Sequence, residues 1–260
     1  MQSRTGWSRD QLLVAFYLYC RMPFGKMHRG NPDIVRFAGL IDRTPSALAM
    51  KLTNIASLDP AITSTGRKGL EGASAADRAM WDEMQRDWAN FALETQNAVR
   101  QIEGGVIELC NVEPYIQSDA EDYEGGEKLV ATKVRVGQSF FRSAVLSAYG
   151  FRCCISELAV PQFLIASHII PWRVDARNRI NPKNGLCLSV LHDKAFDSGL
   201  IGITADMTVM VSPKLKAFND RFITETIIQF DGRPLRLPEK FFPSQEFLAY
   251  HREVIFQDTA

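Results

Sequence analysis

Residues 118–128 read SDAEDYEGGEK, a run of acids and paired glycines with almost nothing to bury. Such a stretch does not belong inside a packed core, so we place a domain boundary there, with the run as an acidic linker. We expect residues 1–117 to form one domain, 118–130 the linker and 131–260 a second domain. The length of 260 residues permits this, because each part can bury a core without covalent staples. With 46% hydrophobic and 23% charged residues the composition is that of a globular protein, which excludes a fully disordered chain.

Apolar periodicity before the linker predicts helices near 8–21, 32–41, 45–57 and 75–100, with no alternating strand pattern. After it, 136–149 keeps helical spacing. Residues 158–170, 201–211 and 227–230 are instead rich in strand formers and bounded by Gly, Pro and Asp. The expected class is therefore α+β, with a helical N-terminal domain and a mixed C-terminal one. The acidic helix with Trp81 and Trp88 reads as packing, and the last forty residues read as packing alone.

The 30 Lys+Arg balance the 30 Asp+Glu, but not evenly along the chain. Residues 1–52 carry eight basic against three acidic side chains, 71–128 four against fourteen, and 131–216 eleven against five. Two basic blocks around an acidic one suit two polyanion-facing surfaces. Pro161, His168 and Pro171 interrupt the most apolar stretches before any reaches the roughly 20 residues of a bilayer span, so no membrane partner is expected. Five scattered cysteines make no disulfide framework, which points to a reducing, cytoplasmic setting. Arg4 and Arg9 ahead of the apolar 12–20 segment resemble a signal peptide, but the small-residue cleavage site is missing. Ser8-Arg9-Asp10-Gln11 reads instead as a capping box opening a buried first helix.

Residues 34–57 combine a short apolar helix, a turn at Asp42-Arg43-Thr44, and Pro45 at a first helical position behind a Thr cap. These are helix-turn-helix proportions, equally those of a plain helical hairpin. In the first case the second helix would offer Arg43, Ser46, Lys51 and Asn54 to DNA, with Lys26, His28 and Arg29 nearby.

The richest stretch is Ala166-Ser167-His168-Ile169-Ile170-Pro171-Trp172, followed by Asn184-Gly185 and His192-Asp193-Lys194-Ala195-Phe196-Asp197. A histidine at a strand end, an Asn-Gly turn and a helix with carboxylates are the parts of a ββα-metal site. Phosphodiester hydrolysis needs a base for water, and an imidazole titrating near 6.5 serves at neutral pH. It also needs a cation at the phosphate, and hard Mg²⁺ prefers carboxylate oxygens. His168 fits the first need, Asp193 and Asp197 the second, since residues four apart share a helix face. Asn184 would orient by bonding across the loop.

The pattern FRSAVLSAYGFRCCISELAVPQFLIASHIIPW … RINPKNGLCLSVLHDKAFDSGL resembles the HNH endonucleases, particularly a bacterial restriction-endonuclease-like subgroup. The N-terminal PFGKMHRGNPDIVRFAGLIDRTPSALAMKLTNIASLDP resembles a segment found ahead of such nuclease domains. The resemblance implies a ββα-metal nuclease domain in which His168 is the general base and Asn184 the middle Asn. Asp193 takes the place of the last motif histidine, a metal ligand, and Asp197 a further ligand position. His192 sits beside the ligand position and would replace Asp193 if the register were shifted by one. Many members have Asp or His before the base, where this chain has Ser167, and many carry CxxC pairs, which it lacks, so no structural zinc is expected.

The expected function is metal-dependent hydrolysis of double-stranded DNA, with Mg²⁺, Mn²⁺ or another divalent cation, in restriction or defence against foreign DNA. Arg152, Arg173, Arg177, Arg179 and Lys194 would clamp phosphates. Cutting both strands would favour a homodimer. Two alternatives are a DNA-binding regulator that keeps the fold without cutting, and an effector nuclease awaiting activation.

Overall fold

The computed structural model describes residues 6–64, 72–104 and 126–258 and divides into two compact units, Met1–Phe140 and Phe141–Ala260. Residues 118–125 of the expected linker, and Cys110, lie outside the described residues; 126–130 already belong to a helix.

The first unit is helical: α1 Arg9–Arg21, α2 Pro32–Leu40, α3 Pro45–Ala56, α4 Pro60–Thr63, α5 Ala75–Arg86 and α6 Trp88–Ile102. Local chemistry sets each start. Ser8 Oγ accepts from Gln11 N and Gln11 Oε1 from Ser8 N, a complete capping box. Asn31, Thr44 and Asp59 cap helices whose first residue is proline, where the missing N–H costs nothing. Helix α1 is buried nearly all round and packs on α3 and α6, which makes it the core of the unit. The single helix expected over 75–100 is in fact two, because Asp87 leaves helical geometry and its carboxylate caps Asn90 N.

Helix α7 Gly126–Ala148 contributes its residues from Phe141 onward to the second unit. There follow β1 Leu164–His168, β2 Gly185–Ser189 and α8 Val190–Asp197, the ββα core, then the hairpin of β3 Ile201–Ile203 and β4 Val209–Val211. Short helices α9 Pro213–Lys216, α10 Arg221–Thr226 and α11 Gln245–Tyr250 follow, and α11 continues into a π-helical turn at His251–Ile255. Strands β1 and β2 are antiparallel with Leu164 opposite Ser189 and His168 opposite Gly185, and α8 packs on both. The strand expected at 227–230 is a 3-10 turn, since Ile227 N–H bonds back to Ile223 O and prolongs α10. Within 158–170 only the β1 residues pair, after Pro161 opens a 3-10 turn.

Candidate functional site

His168 ends β1, half-buried, its ring stacked on Phe141 at 4.0 Å between centroids and edge-on to Trp172 at 5.5 Å. Its Nε2 lies 2.8 Å from the Arg179 carbonyl oxygen. A carbonyl only accepts, so Nε2 carries the ring hydrogen and the lone pair of the neutral imidazole sits on Nδ1. Burial holds this histidine below its ordinary range, partly offset by the carbonyl. The ring is therefore neutral near pH 7, with one nitrogen pinned and the other a free base.

Asn184 is buried and fully engaged. Its Oδ1 accepts from Ile170 N at 2.8 Å, and its Nδ2 donates to Ile170 O and Asn178 O. The amide thus ties down the chain two residues beyond His168 and one before Arg179. These bonds run across the loop between His168 and Asn184.

Asp193 and Asp197 lie one turn apart on α8. Burial raises Asp193, partly offset by the Ser167 hydroxyl and Lys194. Burial first, and the Asp193 charge second, push Asp197 up to about 6. Ser167 Oγ is buried with no hydrogen-bond partner among the described residues, although it lies near enough to Asp193 to affect it. Two carboxylates that resist ionising together, one of them beside the Ser167 hydroxyl, suit a hard divalent cation that keeps part of its water shell. No group of three or more His, Cys, Asp or Glu that could hold a metal ion occurs among the described residues.

His192 does not join them. Its Nδ1 meets Ser189 Oγ at 3.0 Å and Cys153 Sγ at 3.4 Å, and its Nε2 lies 2.9 Å from Thr226 O. It is 2% exposed, with both nitrogens committed to the interior. The described cysteines are buried free thiols; burial pushes the Cys153 thiol up, but the hydrogen bonds from His192 and Ser156 outweigh it and lower it to about 7.

Of the expected phosphate contacts, Arg152, Arg173, Arg177 and Lys194 are exposed. Arg179 is turned inward, its Nε donating to Trp172 O at 2.7 Å and its guanidinium lying over the Trp172 ring. Two N-terminal expectations need correction. Lys51 is 6% exposed and bonds both carboxylate oxygens of buried Asp77 at 2.8 and 2.9 Å. Arg43 bonds Gln11 and the Gly6 carbonyl and lies over Trp7. Both cations hold the first unit together. The outward face of α3 presents Ser46 and Met50, while Lys26, His28 and Arg29 are solvent-facing.

Sequence reasoning missed the part of Arg179 at the site, because a main-chain carbonyl leaves no mark in residue identity; only the polar 175–184 loop hinted at an ordered frame. No helix among the described residues is long and apolar enough to cross a membrane. No curated protein matches the chain. A family model described as HNH endonuclease matches residues 153–204, which hold β1, β2, α8 and every proposed site group named above from His168 to Asp197, so this part of the chain is similar to the HNH endonucleases.

Proposed function

We propose that the protein is a divalent-metal-dependent endonuclease that hydrolyses DNA, acting in the cytoplasm in restriction or defence. The observation that carries this reading is His168, a neutral imidazole with Nε2–H spent on a carbonyl and Nδ1 left as a base, in the segment matched by the HNH endonuclease family. Nδ1 removes a proton from water, whose oxygen attacks phosphorus in line with the departing 3′-oxygen. The products carry 5′-phosphate and 3′-hydroxyl ends. Mg²⁺ or Mn²⁺, held by Asp193 and Asp197, supplies charge neutralisation for the phosphate and the leaving oxygen when bound. Asn184 keeps the loop that carries the Arg179 carbonyl in register with His168. Exposed Arg152, Arg173, Arg177 and Lys194 contribute salt-dependent affinity for the phosphate backbone. The helical unit is the specificity domain, with Lys26, His28 and Arg29 as its basic surface. Double-strand cleavage would favour a homodimer that brings two such sites to one duplex.

Incubating duplex DNA with wild type or His168→Ala, with Mg²⁺, Mn²⁺ or chelator, tests this. Wild type should cut only with metal. His168→Ala should lose at least about 100-fold in rate, the range of a positioned general base, with DNA binding intact. Undiminished cleavage by His168→Ala would remove the mechanism. The second reading, a regulator that binds DNA without cutting it, draws on Ser167, a neutral group with no charge to offer an ion. Metal-independent binding with no cleavage of any duplex would favour it.

A further inference from the structure

The loop between His168 and Asn184 is held by more internal bonds than an exposed connection needs. Asp175 Oδ1 accepts from Arg177 N at 3.0 Å and Asn178 N at 3.3 Å, and its Oδ2 accepts from Asn178 Nδ2 at 2.6 Å. Asn178 Oδ1 accepts from Asn181 Nδ2 at 2.9 Å, and Asn181 Oδ1 accepts from Lys183 N at 3.1 Å. This side-chain relay has one polarity. Lys183 N–H can only donate, which fixes the Asn181 amide, then the Asn178 amide, so the relay must end on a pure acceptor. The ionised Asp175 carboxylate is that acceptor, and the same bonds hold it below its usual range. On the far side of Asn178, the Arg179 side chain is pinned to the Trp172 carbonyl and ring, and Trp172 in turn meets the edge of His168.

These links fix the chain on either side of one atom, the Arg179 carbonyl oxygen that takes the Nε2–H of His168. We propose that Asp175, Asn178 and Arg179 are positioning residues for His168, and that the Arg179 side chain serves to aim its own carbonyl rather than to clamp phosphate. The inference rests on His168 being the base of the proposed reaction. If the loop slackens, Nε2–H loses its fixed acceptor and the ring samples the Nδ1–H tautomer, in which the lone pair points away from the water. Loss of an outer partner of a metal-ligating histidine lowers affinity or activity by about 10- to 100-fold, and we expect a fall of the same order for the partner that orients this base. A phosphate clamp behaves otherwise, since removing it weakens DNA binding and lowers the salt slope by about one.

The test uses the full-length protein with Asp175→Ala, Asp175→Asn and Arg179→Ala, after circular dichroism confirms wild-type folding. Ring ¹⁵N spectra, with His168 assigned by its loss in His168→Gln, read the tautomer without DNA or metal. Wild type should show the Nε2–H form and Arg179→Ala and Asp175→Ala a mixture. Asp175→Asn keeps the size but puts an amide donor against an N–H, so it should give a smaller shift in the same direction and stands in if the alanine variant fails to fold. In cleavage, kcat should fall about 10- to 100-fold with KM, DNA affinity and salt slope unchanged. An unchanged His168 ring in the folded variants overturns the proposal. So does Arg179→Ala that weakens DNA binding, lowers the salt slope and keeps kcat. Should no substrate be cut, the nuclease reading fails by itself, and the ring spectra still decide this one.

Discussion

Asp193 and Asp197 carry opposite demands: partial burial and mutual repulsion favour a proton on the pair, whereas a cation favours two negative charges. Asp197 is pushed up to about 6, so below that pH a proton occupies the place an ion would use. Above it both carboxylates are ionised and their repulsion is what the ion relieves. Binding one ion then releases about one proton, and affinity should fall about tenfold per pH unit below pH 6 and level off above it. Titration of the DNA-free protein with Mn²⁺, followed by the spin-resonance signal of the free ion, measures this. Asp197→Asn should bind more weakly and lose the pH dependence. A wild-type affinity constant from pH 5 to 7 would exclude the pair as the site. One residue earlier on the same helix, His192 is turned toward Thr226 and Cys153, because a rotation of roughly 100° separates neighbours on a helix. Adjacency in sequence is not adjacency at the site.

At the scale of elements, the ββα arrangement works because two strands and a helix meet with little room to spare. Gly185 lies opposite His168 across the β1–β2 ladder. A Cβ built there would come within 2.4 Å of Val145 Cγ2 and 2.9 Å of Phe141 Cζ, and Phe141 is the ring on which His168 stacks. Absence of a side chain at 185 thus lets α7 approach the sheet and present a flat surface to the base. Gly185→Ala should cost about 1–3 kcal/mol, the usual range for overpacking, and should lower kcat more than DNA affinity by displacing Phe141. Urea unfolding and single-turnover cleavage check the two parts, and wild-type values in both would refute the packing argument. The elements most legible in the sequence were those announced by local chemistry: Ser8 with Gln11, Thr44 with Pro45, and the carboxylates four apart on α8. Less legible was anything settled by a distant partner. Lys51 reads as a surface cation until Asp77, in another helix, is brought against it. The 227–230 run has strand formers, yet it follows α10 directly and completes its last turn. Arg179 resembled a phosphate clamp because its role lies in its main chain.

At the scale of the C-terminal unit, the segment after α11 closes on the end of α8 and so supports the helix that carries both carboxylates. Gln257 Nε2 donates to Ser198 O, Gln257 N to Gly199 O, and Ser212 Oγ to Gln257 O. His251 is the keystone of this closure. It is 1% exposed, stacks on Phe196 at 3.7 Å, and its Nε2 donates to Phe196 O. Burial is the main reason it falls to about 4 from its ordinary 6.5, with the Phe196 carbonyl opposing and the neighbouring Arg252 charge adding to the drop. The folded state therefore refuses a proton that the unfolded chain accepts. Its contribution is present above pH 6.5 and is lost as pH falls toward 4, by about 3 kcal/mol at roughly 1.4 kcal/mol per pH unit. Asp197 acts in the opposite sense over part of this window, because its raised folded value favours the protonated folded form as pH falls. Comparing wild type with His251→Phe removes that overlap, since Asp197 is common to both. The phenylalanine variant loses the bond to the Phe196 carbonyl and should start less stable at pH 7, but its unfolding free energy should fall less steeply between pH 6.5 and 4. Urea titrations of both proteins at pH 7, 5.5 and 4 give the difference directly. Parallel curves would mean that His251 is not the group whose protonation opens the closure beneath α8.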